Sequence, residues 1–249
     1  MKKTLVFVLT AVTLMLSTAA SAAEIKVFCT NGVKAVVEEL IPRFEQTSGD
    51  KVVLQFEPST QLRKRIDTGE PFDLVIMTTT LVDEEIKAGK LSTDGRTFIA
   101  KSGLGVSIRT GAKKPNIATV DAFKRALLDA DSITFAQQGA SAQPFEVLVA
   151  KLGITSQLRP KYSLRNTAAE VGEAVASGTV ALGIAPVSEI LPVRGVDLVG
   201  PFPKDVQSYV EMTGAVSVGA KQKDEAKKLL AFLVAPANVP VFRLKGMER

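Results

Sequence analysis

Histidine and tryptophan are absent from this chain and cysteine and tyrosine are scarce, and each shortage excludes a class of chemistry. The 249 residues include one cysteine and two tyrosines. Without histidine there is no Ser–His–Asp triad, no imidazole metal ligand and no imidazole acid or base. One cysteine makes neither an internal disulfide nor a thiolate zinc site, so we expect no metal and no cofactor. An enzyme of this composition would move protons with Lys, Asp, Glu or Tyr, as an isomerase or a lyase can.

Basic residues are in slight excess and are scattered along the chain. The formal net charge of +5 falls to +3 without residues 1–22, which hold two lysines and no acid. No basic block is present, and side chains for base stacking are few, so we expect no nucleic-acid partner. The remaining 227 residues suffice for two compact lobes or one large domain.

The first 22 residues have the pattern of a secretory signal peptide. Two lysines precede an apolar run over residues 4–16, and Ala20-Ser21-Ala22 fits a small-x-small cleavage site. No later stretch approaches the roughly 20 uncharged apolar residues of a membrane-spanning helix. We therefore expect secretion, with cleavage after about Ala22.

A unit of strand, polar turn and helix occurs three times after this segment. Apolar runs typical of strands lie at residues 25–28, 52–56 and 72–77. Small polar residues follow them at 29–32, 58–60 and 78–80, and helical spacing follows each turn. In an open parallel sheet, ligands bind at the carboxyl ends of strands, where helix N-termini offer free N–H groups. Hydroxyls and amides gathered there suit a small anion.

Alternating helices and strands are predicted along the rest of the chain. The clearest helix has an apolar stripe from Val33 to Phe44, a kink at Pro42 and an end at Ser48-Gly49. Other helices are expected from Ser59 or Thr60 to Gly69 and over residues 81–87, 120–127, 145–152, 169–176 and 224–233. Other strands are expected over residues 103–109, 132–136, 180–185, 196–199 and 209–218. This order predicts an α/β protein in which two lobes would be joined by strands.

Nine short motifs occur in a defined order between Ala23 and about Arg249. They are Asn31-Gly32, Ser59-Thr60 with Leu62 and Ile66, residues 69–74, Gly139-Ala140-Ser141, Leu182-Gly183-Ile184, residues 188–192, Gly195-Val196, Gly200-Pro201 and residues 245–248. In order and spacing they resemble the periplasmic solute-binding proteins of ABC importers, in the molybdate-binding-like group.

This resemblance implies an α/β protein with the two-lobed type 2 periplasmic-binding-protein fold. Each lobe would be a mixed sheet flanked by helices, with the ligand cleft between the lobes. Residues 23–101 and 208–249 would form lobe one, and residues 102–207 lobe two. The family further implies a periplasmic monomer that captures a small anion and passes it to the membrane subunits of an ABC importer.

In molybdate binders of this group, neutral donors hold the oxyanion. Their positions fall by rough alignment on Gly32, Ser59 or Thr60, Ser141, Ala168 and Pro186. Gly32 has no hydroxyl, for which Thr30 and Asn31 would substitute, and Pro186 cannot replace a tyrosine donor. We therefore expect a related anion rather than molybdate. Thr78, at the end of the third strand, adds one more candidate hydroxyl.

Two arginines favour an organic carboxylate, because a guanidinium makes two parallel hydrogen bonds to a carboxylate. Arg63 lies beside the apolar stripe of its helix and near the helix start, so it can turn back into the cleft. Arg165 and Asn166 precede a helix in lobe two and can add a charge from the other side. A solvated helix face for Arg63 and a surface cap for Arg165 and Asn166 are the alternatives.

Two other functions stay open. An isomerase on the same fold, resembling aconitate isomerase, would hold a tricarboxylate in the same cleft and move a proton with Lys, Glu or Tyr. Glu57, beside Ser59, is a conceivable base, and no catalytic residue is assigned. A sensor input or adhesin-like module has less support, since the sequence shows no partner domain or anchor.

Overall fold

The apolar stripe predicted for the first helix is buried. In the structure, a computed structural model that describes residues 22–249, this helix is α1, Lys34–Ser48. Its stripe residues, Val36 to Phe44, belong to the main core. Pro42 lies inside the helix, and Gly49 ends it with a φ of 80°, a conformation that favours glycine. The predicted signal peptide lies, up to residue 21, outside the described residues.

Residues 22–249 form eight strands and ten α-helices. The strands are β1 (Glu24–Thr30), β2 (Lys51–Glu57), β3 (Leu74–Thr78), β4 (Thr97–Arg109), β5 (Ile133–Thr134), β6 (Leu182–Pro186), β7 (Val196–Pro201) and β8 (Tyr209–Val216). The helices after α1 are α2 (Ser59–Asp67), α3 (Thr79–Lys87), α4 (Val120–Asp129), α5 (Ala142–Lys151), α6 (Thr155–Leu158), α7 (Ala168–Ala176), α8 (Val187–Ile190), α9 (Lys223–Leu233) and α10 (Val239–Leu244).

The strands form one mixed sheet in the order β2-β1-β3-β8-β4-β6-β5, with β7 also paired to β4. Strand β1 is parallel to both β2 and β3, whereas β8 is antiparallel to β3 and β4. In the register, Thr30 is opposite Glu57, and Cys29 is opposite Ile76. The ends of the first three strands therefore lie side by side, as the sequence predicted.

Strand β4 divides the sheet into two halves. Its residues 97–103 pair with β8, and its residues 104–109 pair with β6 and β7. We call the part built on β1, β2, β3 and β8 the first half, and the part built on β5, β6 and β7 the second half. The chain returns to the first half just before β8, where Gln207 accepts a hydrogen bond from Leu104 N–H and donates one to Leu104 O. The two connections are thus bonded to each other.

Several predicted boundaries differ from the observed ones. The strand expected at residues 103–109 begins six residues earlier, at Thr97, and this added length makes β4 a strand of both halves. The strand expected at residues 132–136 is only β5, because beyond it the backbone makes a single isolated bridge from Ala136 to Arg165. Helices α6, α8 and α10 are short and were not predicted.

The main core runs through both halves of the sheet, and a smaller cluster lies beneath α2 and α3. This second cluster contains Phe28, Leu62, Ile66 and Met77, with Phe28 stacked on Phe72 at a ring distance of 4.8 Å. Its packing fixes the start of α2 over the end of β1. Within residues 22–249 no helix is both long enough and apolar enough to span a membrane.

Candidate functional site

A cavity of about 90 Å³ lies where the two halves of the sheet meet. From the first half it is lined by Thr30, Asn31, Pro58, Ser59, Thr60, Thr78, Leu81, Val210 and Met212, and from the second half by Ala136, Gln138, Gly139, Ala140, Asn166, Thr167, Ala168 and Glu189. A cavity of this volume can hold several water molecules, and it can therefore hold a small ligand. Both halves therefore contribute to one site.

The first wall contains a short chain of hydrogen bonds. Ser59 Oγ accepts from Thr78 N–H at 3.1 Å and donates to Thr30 Oγ1 at 3.1 Å. Thr30 and Ser59 are buried, so water does not compete for these bonds. Because Thr30 Oγ1 accepts the hydrogen bond from Ser59, its own hydroxyl hydrogen is left to donate to a ligand.

The opposite wall is built around the start of α7. Thr167 caps this helix, since its hydroxyl accepts from Glu170 N–H at 3.2 Å, and the Glu170 carboxylate accepts from Asn166 N–H at 3.0 Å. These two bonds hold the turn that precedes the helix. The Ala168 N–H is one of the first four of the helix, which have no acceptor within it.

Three helices of nine residues each begin at the cavity. Residues lining it are the first residue of α2 (Ser59), the residue capping α3 (Thr78) and the first residue of α7 (Ala168). Helix N-termini carry partial positive charge and free N–H groups. Their meeting at one point, with α2 and α3 on one side and α7 on the other, favours a bound anion.

Glu189 is the only ionisable side chain among the residues that line the cavity. It is half-buried, and a Cβ atom added to Gly32 would lie 3.7 Å from its Oε1. Burial raises the pKa of Glu189 from 4.5 to about 7, with no charged neighbour contributing. The carboxyl group is therefore partly protonated near neutral pH, and its protonated form can donate a hydrogen bond.

The structure brings six of the ten predicted ligand-binding residues to the cavity: Thr30, Asn31, Ser59, Thr60, Thr78 and Asn166. Gly32 is buried behind the lining, where a Cβ atom would lie 2.2 Å from the Met212 methyl group. Ser141 is buried directly before α5, next to Gly139 and Ala140, which do line the cavity. Gly32 and Ser141 thus support the walls without forming them.

Neither predicted arginine lies at the cavity. The Arg63 guanidinium contacts Glu84 at 2.5 Å and the buried Glu85 at 3.1 Å, both on α3. Arg165 donates to the backbone oxygens of Ser163 and Leu164. Both side chains are held by local partners, so the structural reason for preferring a carboxylate is lost.

Three lining residues with polar side chains were not among the predicted ligands: Gln138, Thr167 and Glu189. Thr167 follows Asn166 directly and is the N-cap residue of α7. Glu189 belongs to a motif used for the family resemblance, and its position just after strand β6 was the one signal that could have identified it. Gln138 accepts a 3.0 Å hydrogen bond from Gln61, which joins the two halves at the cavity.

A larger, open groove of about 1,020 Å³ lies on the second half alone. It carries both basic and acidic side chains: Arg109, Lys113, Lys114, Arg125, Asp129 and Asp131. Its four basic side chains are interspersed with two acidic ones, and only the second half contributes to this groove, whereas both halves and three helix N-termini contribute to the smaller cavity. The smaller cavity is therefore the candidate site.

Known proteins resemble the chain over almost its whole length. A family model described as bacterial extracellular solute-binding protein matches residues 25–248. Aconitate isomerase from a Pseudomonas species is 27% identical over 227 residues, covering 89% of this chain and 86% of that protein. The molybdate-binding protein ModA of Azotobacter vinelandii is 25% identical over 240 residues, covering 93% and 92% respectively.

Among solved structures, the periplasmic molybdate-binding protein of Azotobacter vinelandii superposes with a TM-score of 0.76. The alignment covers 90% of this chain and 99% of that one, at 16% sequence identity. At this identity the match establishes the fold alone, which is the predicted two-lobed α/β fold of periplasmic binding proteins.

Proposed function

The chain belongs to the bacterial extracellular solute-binding proteins, and from this membership we propose that it captures a small anion in the periplasm and delivers it to an ABC importer. The observation that carries the proposal is the meeting of three helix N-termini, from both halves, at one small cavity. Hydroxyl and backbone N–H donors can hold an anion there without a cationic side chain.

Capture follows from contacts that neither half makes alone. An anion between the walls bonds to α2 and α3 on one side and to α7 on the other, so it stabilises the closed arrangement. The Gln61–Gln138 hydrogen bond adds to the same state. We propose that the importer's membrane subunits recognise this closed form.

The anion is a compact one, either an inorganic oxyanion or a small organic carboxylate. The volume of the cavity and the neutral donors support this choice. Because Arg63 and Arg165 are engaged elsewhere, nothing in the lining favours the carboxylate. We further propose a monomer with a mature N-terminus near Ala23 and lobes of residues 23–101 with 208–249 and 102–207.

Calorimetric titration with sulfate, molybdate, phosphate and a series of di- and tricarboxylates tests this function. At least one anion should bind in a 1:1 ratio, and Thr30→Val should weaken it about tenfold or more, since a hydrogen bond to a charged group is lost. Thr79→Val is the matched control, because the Thr79 hydroxyl bonds to Thr213 and does not line the cavity. Failure of all the anions to bind would refute the proposal.

An isomerase is the second candidate, and Glu189 is the observation that favours it. A carboxyl with a pKa of about 7 in a ligand cavity can take and return a proton near neutral pH. The similarity to aconitate isomerase adds support. Incubation with cis- or trans-aconitate, followed by NMR for the other isomer, decides: turnover indicates the enzyme, and binding without turnover indicates the receptor.

A further inference from the structure

Glu189 joins the two halves at the cavity. It belongs to α8, in the second half, and α8 packs against the turn at residues 31–33 of the first half. A Cβ atom on Gly32 would lie 3.7 Å from its Oε1, so the carboxyl group of Glu189 lies beside the first half, and Glu189 lines the cavity together with Asn31 and Met212.

No charged group offsets the carboxylate. Burial alone sets its raised pKa, without a hydrogen bond or a charge from the described residues. The charged residues on or next to the elements around α8 include Lys34, Lys101, Arg109, Glu170, Glu173, Arg194, Asp197, Glu211 and Lys245, and none lines the cavity. Lys34 pairs with Glu38, Lys101 with Glu248, and Asp197 accepts from Thr110.

An anion and an ionised Glu189 cannot share this space favourably. Like charges in one small, partly dry cavity repel, and each raises the pKa of the other. Protonation removes the repulsion and turns the carboxyl into an O–H donor, the type of group that the rest of the cavity supplies.

Resting on the function proposed above, we propose that Glu189 couples anion capture to the uptake of one proton. The bound state contains the anion and a protonated Glu189, whose O–H donates to it. The site therefore selects anions that accept an additional hydrogen bond, and its affinity falls as the pH rises. The groups proposed to hold the anion are hydrogen-bond donors, so a proton on the anion would find no acceptor among them. Fully ionised anions are therefore the preferred class.

Calorimetry with sulfate, molybdate and trans-aconitate between pH 6.5 and 9 tests the coupling, since these probes keep their charge over that range. Titrations at pH 8 in Tris and in HEPES, which differ in ionisation enthalpy, count the protons taken up. Wild-type protein should take up close to one proton for each anion bound. Its affinity should fall about tenfold for each pH unit above the pKa of Glu189.

Glu189→Gln keeps the size of the side chain and removes its titration. This variant should take up no proton, vary less than threefold in affinity from pH 6.5 to 9, and bind more tightly than wild type at pH 9. Glu173→Gln, at an exposed position on α7, is the matched control and should behave like wild type. The proton count in the wild-type protein tests the coupling even if a variant does not fold.

Binding without proton uptake would overturn the coupling and leave the proposed function intact. So would a Glu189→Gln variant that binds more weakly than wild type at every pH, because removing the negative charge of Glu189 would then bring no gain in anion affinity. Absence of binding by all three probes at every pH would refute the function and the coupling together.

Discussion

Glu85 and Glu189 are acidic side chains with different surroundings. Glu85 is fully buried, and Arg63 and Lys90 contact its carboxylate at 3.1 Å and 3.3 Å. No charge within residues 22–249 contributes to the pKa of Glu189, which burial raises to about 7. The first is a structural ion cluster, and the second is a group that titrates at the site.

Arg63→Ala should therefore lower the free energy of unfolding and leave anion affinity unchanged. The substitution leaves the Glu85 carboxylate buried with one cationic partner fewer, and this should lower the free energy of unfolding by about 2 kcal/mol. Arg96→Ala is the control, because the Arg96–Asp83 pair is about two-fifths exposed and should cost under about 1 kcal/mol. Urea unfolding and calorimetry measure both quantities. A large loss of affinity in Arg63→Ala would return this arginine to the site.

Glu189 should also make stability depend on pH. Its pKa is about 7 in the folded protein against 4.5 when exposed, so the folded state binds more protons between these values. The free energy of unfolding should consequently fall as the pH rises from 4.5 to about 7 and level off above. The free energy of unfolding, measured by urea unfolding, should fall between pH 5 and pH 8 by about 2 kcal/mol less in Glu189→Gln than in the wild-type protein. Parallel pH profiles for the two proteins would contradict the assignment.

At the scale of elements, helix starts define the site. The N-terminal ends of α2, α3 and α7 meet there because the strands before α2 and α3 end at one edge and β4 brings the second half opposite them. Each helix start supplies N–H donors that the helix itself cannot satisfy. Side chains accept from some of these donors, as Thr167 does from Glu170 N–H and Ser59 from Thr78 N–H. In the proposed function the ligand accepts from others.

Thr60→Asp should separate helix stability from binding. A carboxylate in the first turn of α2 interacts favourably with the helix dipole and should add about 0.5 kcal/mol to the free energy of unfolding. The same charge lies at the cavity and should lower anion affinity at least tenfold. Thr60→Asn, similar in size and neutral, is the control with near wild-type binding. Unchanged affinity in Thr60→Asp would mean that the anion lies elsewhere.

Local patterns predicted most of these elements and part of the site. The stripe of α1 and the polar turns after β1, β2 and β3 depend on neighbouring residues, so they could be predicted from the sequence. The partners of Arg63 could not, because Glu84 and Glu85 approach it only through the packing of α3 on α2. The role of Glu189 also depends on tertiary packing, since burial in the assembled cavity sets its pKa.

The whole molecule is two halves of one sheet joined by β4 and by the segment before β8. Gln207 bonds to both N–H and O of Leu104, so the two connections move as a unit. Closure about them brings the walls together, as in other hinged binding proteins. In the proposed closure, the Gln61–Gln138 hydrogen bond, which joins the two halves at the cavity, belongs to the closed arrangement.

Gln61→Ala should weaken anion binding two- to tenfold, because one hydrogen bond contributes about 1 kcal/mol to the closed state alone. The melting temperature of the ligand-free protein should stay within about 1 °C of wild type. Gln46→Ala, exposed on α1, is the control for loss of a surface amide. Calorimetry gives the anion affinity, and thermal unfolding gives the melting temperature. Identical affinities in the wild-type protein and both variants would argue against a role of the Gln61–Gln138 hydrogen bond in binding.

A crystal structure of the protein with the tightest-binding anion of the calorimetric series would show where that anion lies. We predict one anion in the cavity of about 90 Å³, contacted by Thr30 and the start of α2 on one side and by the start of α7 on the other. An anion found in the larger groove beside Lys113 and Arg125, or bound to one half only, would contradict it.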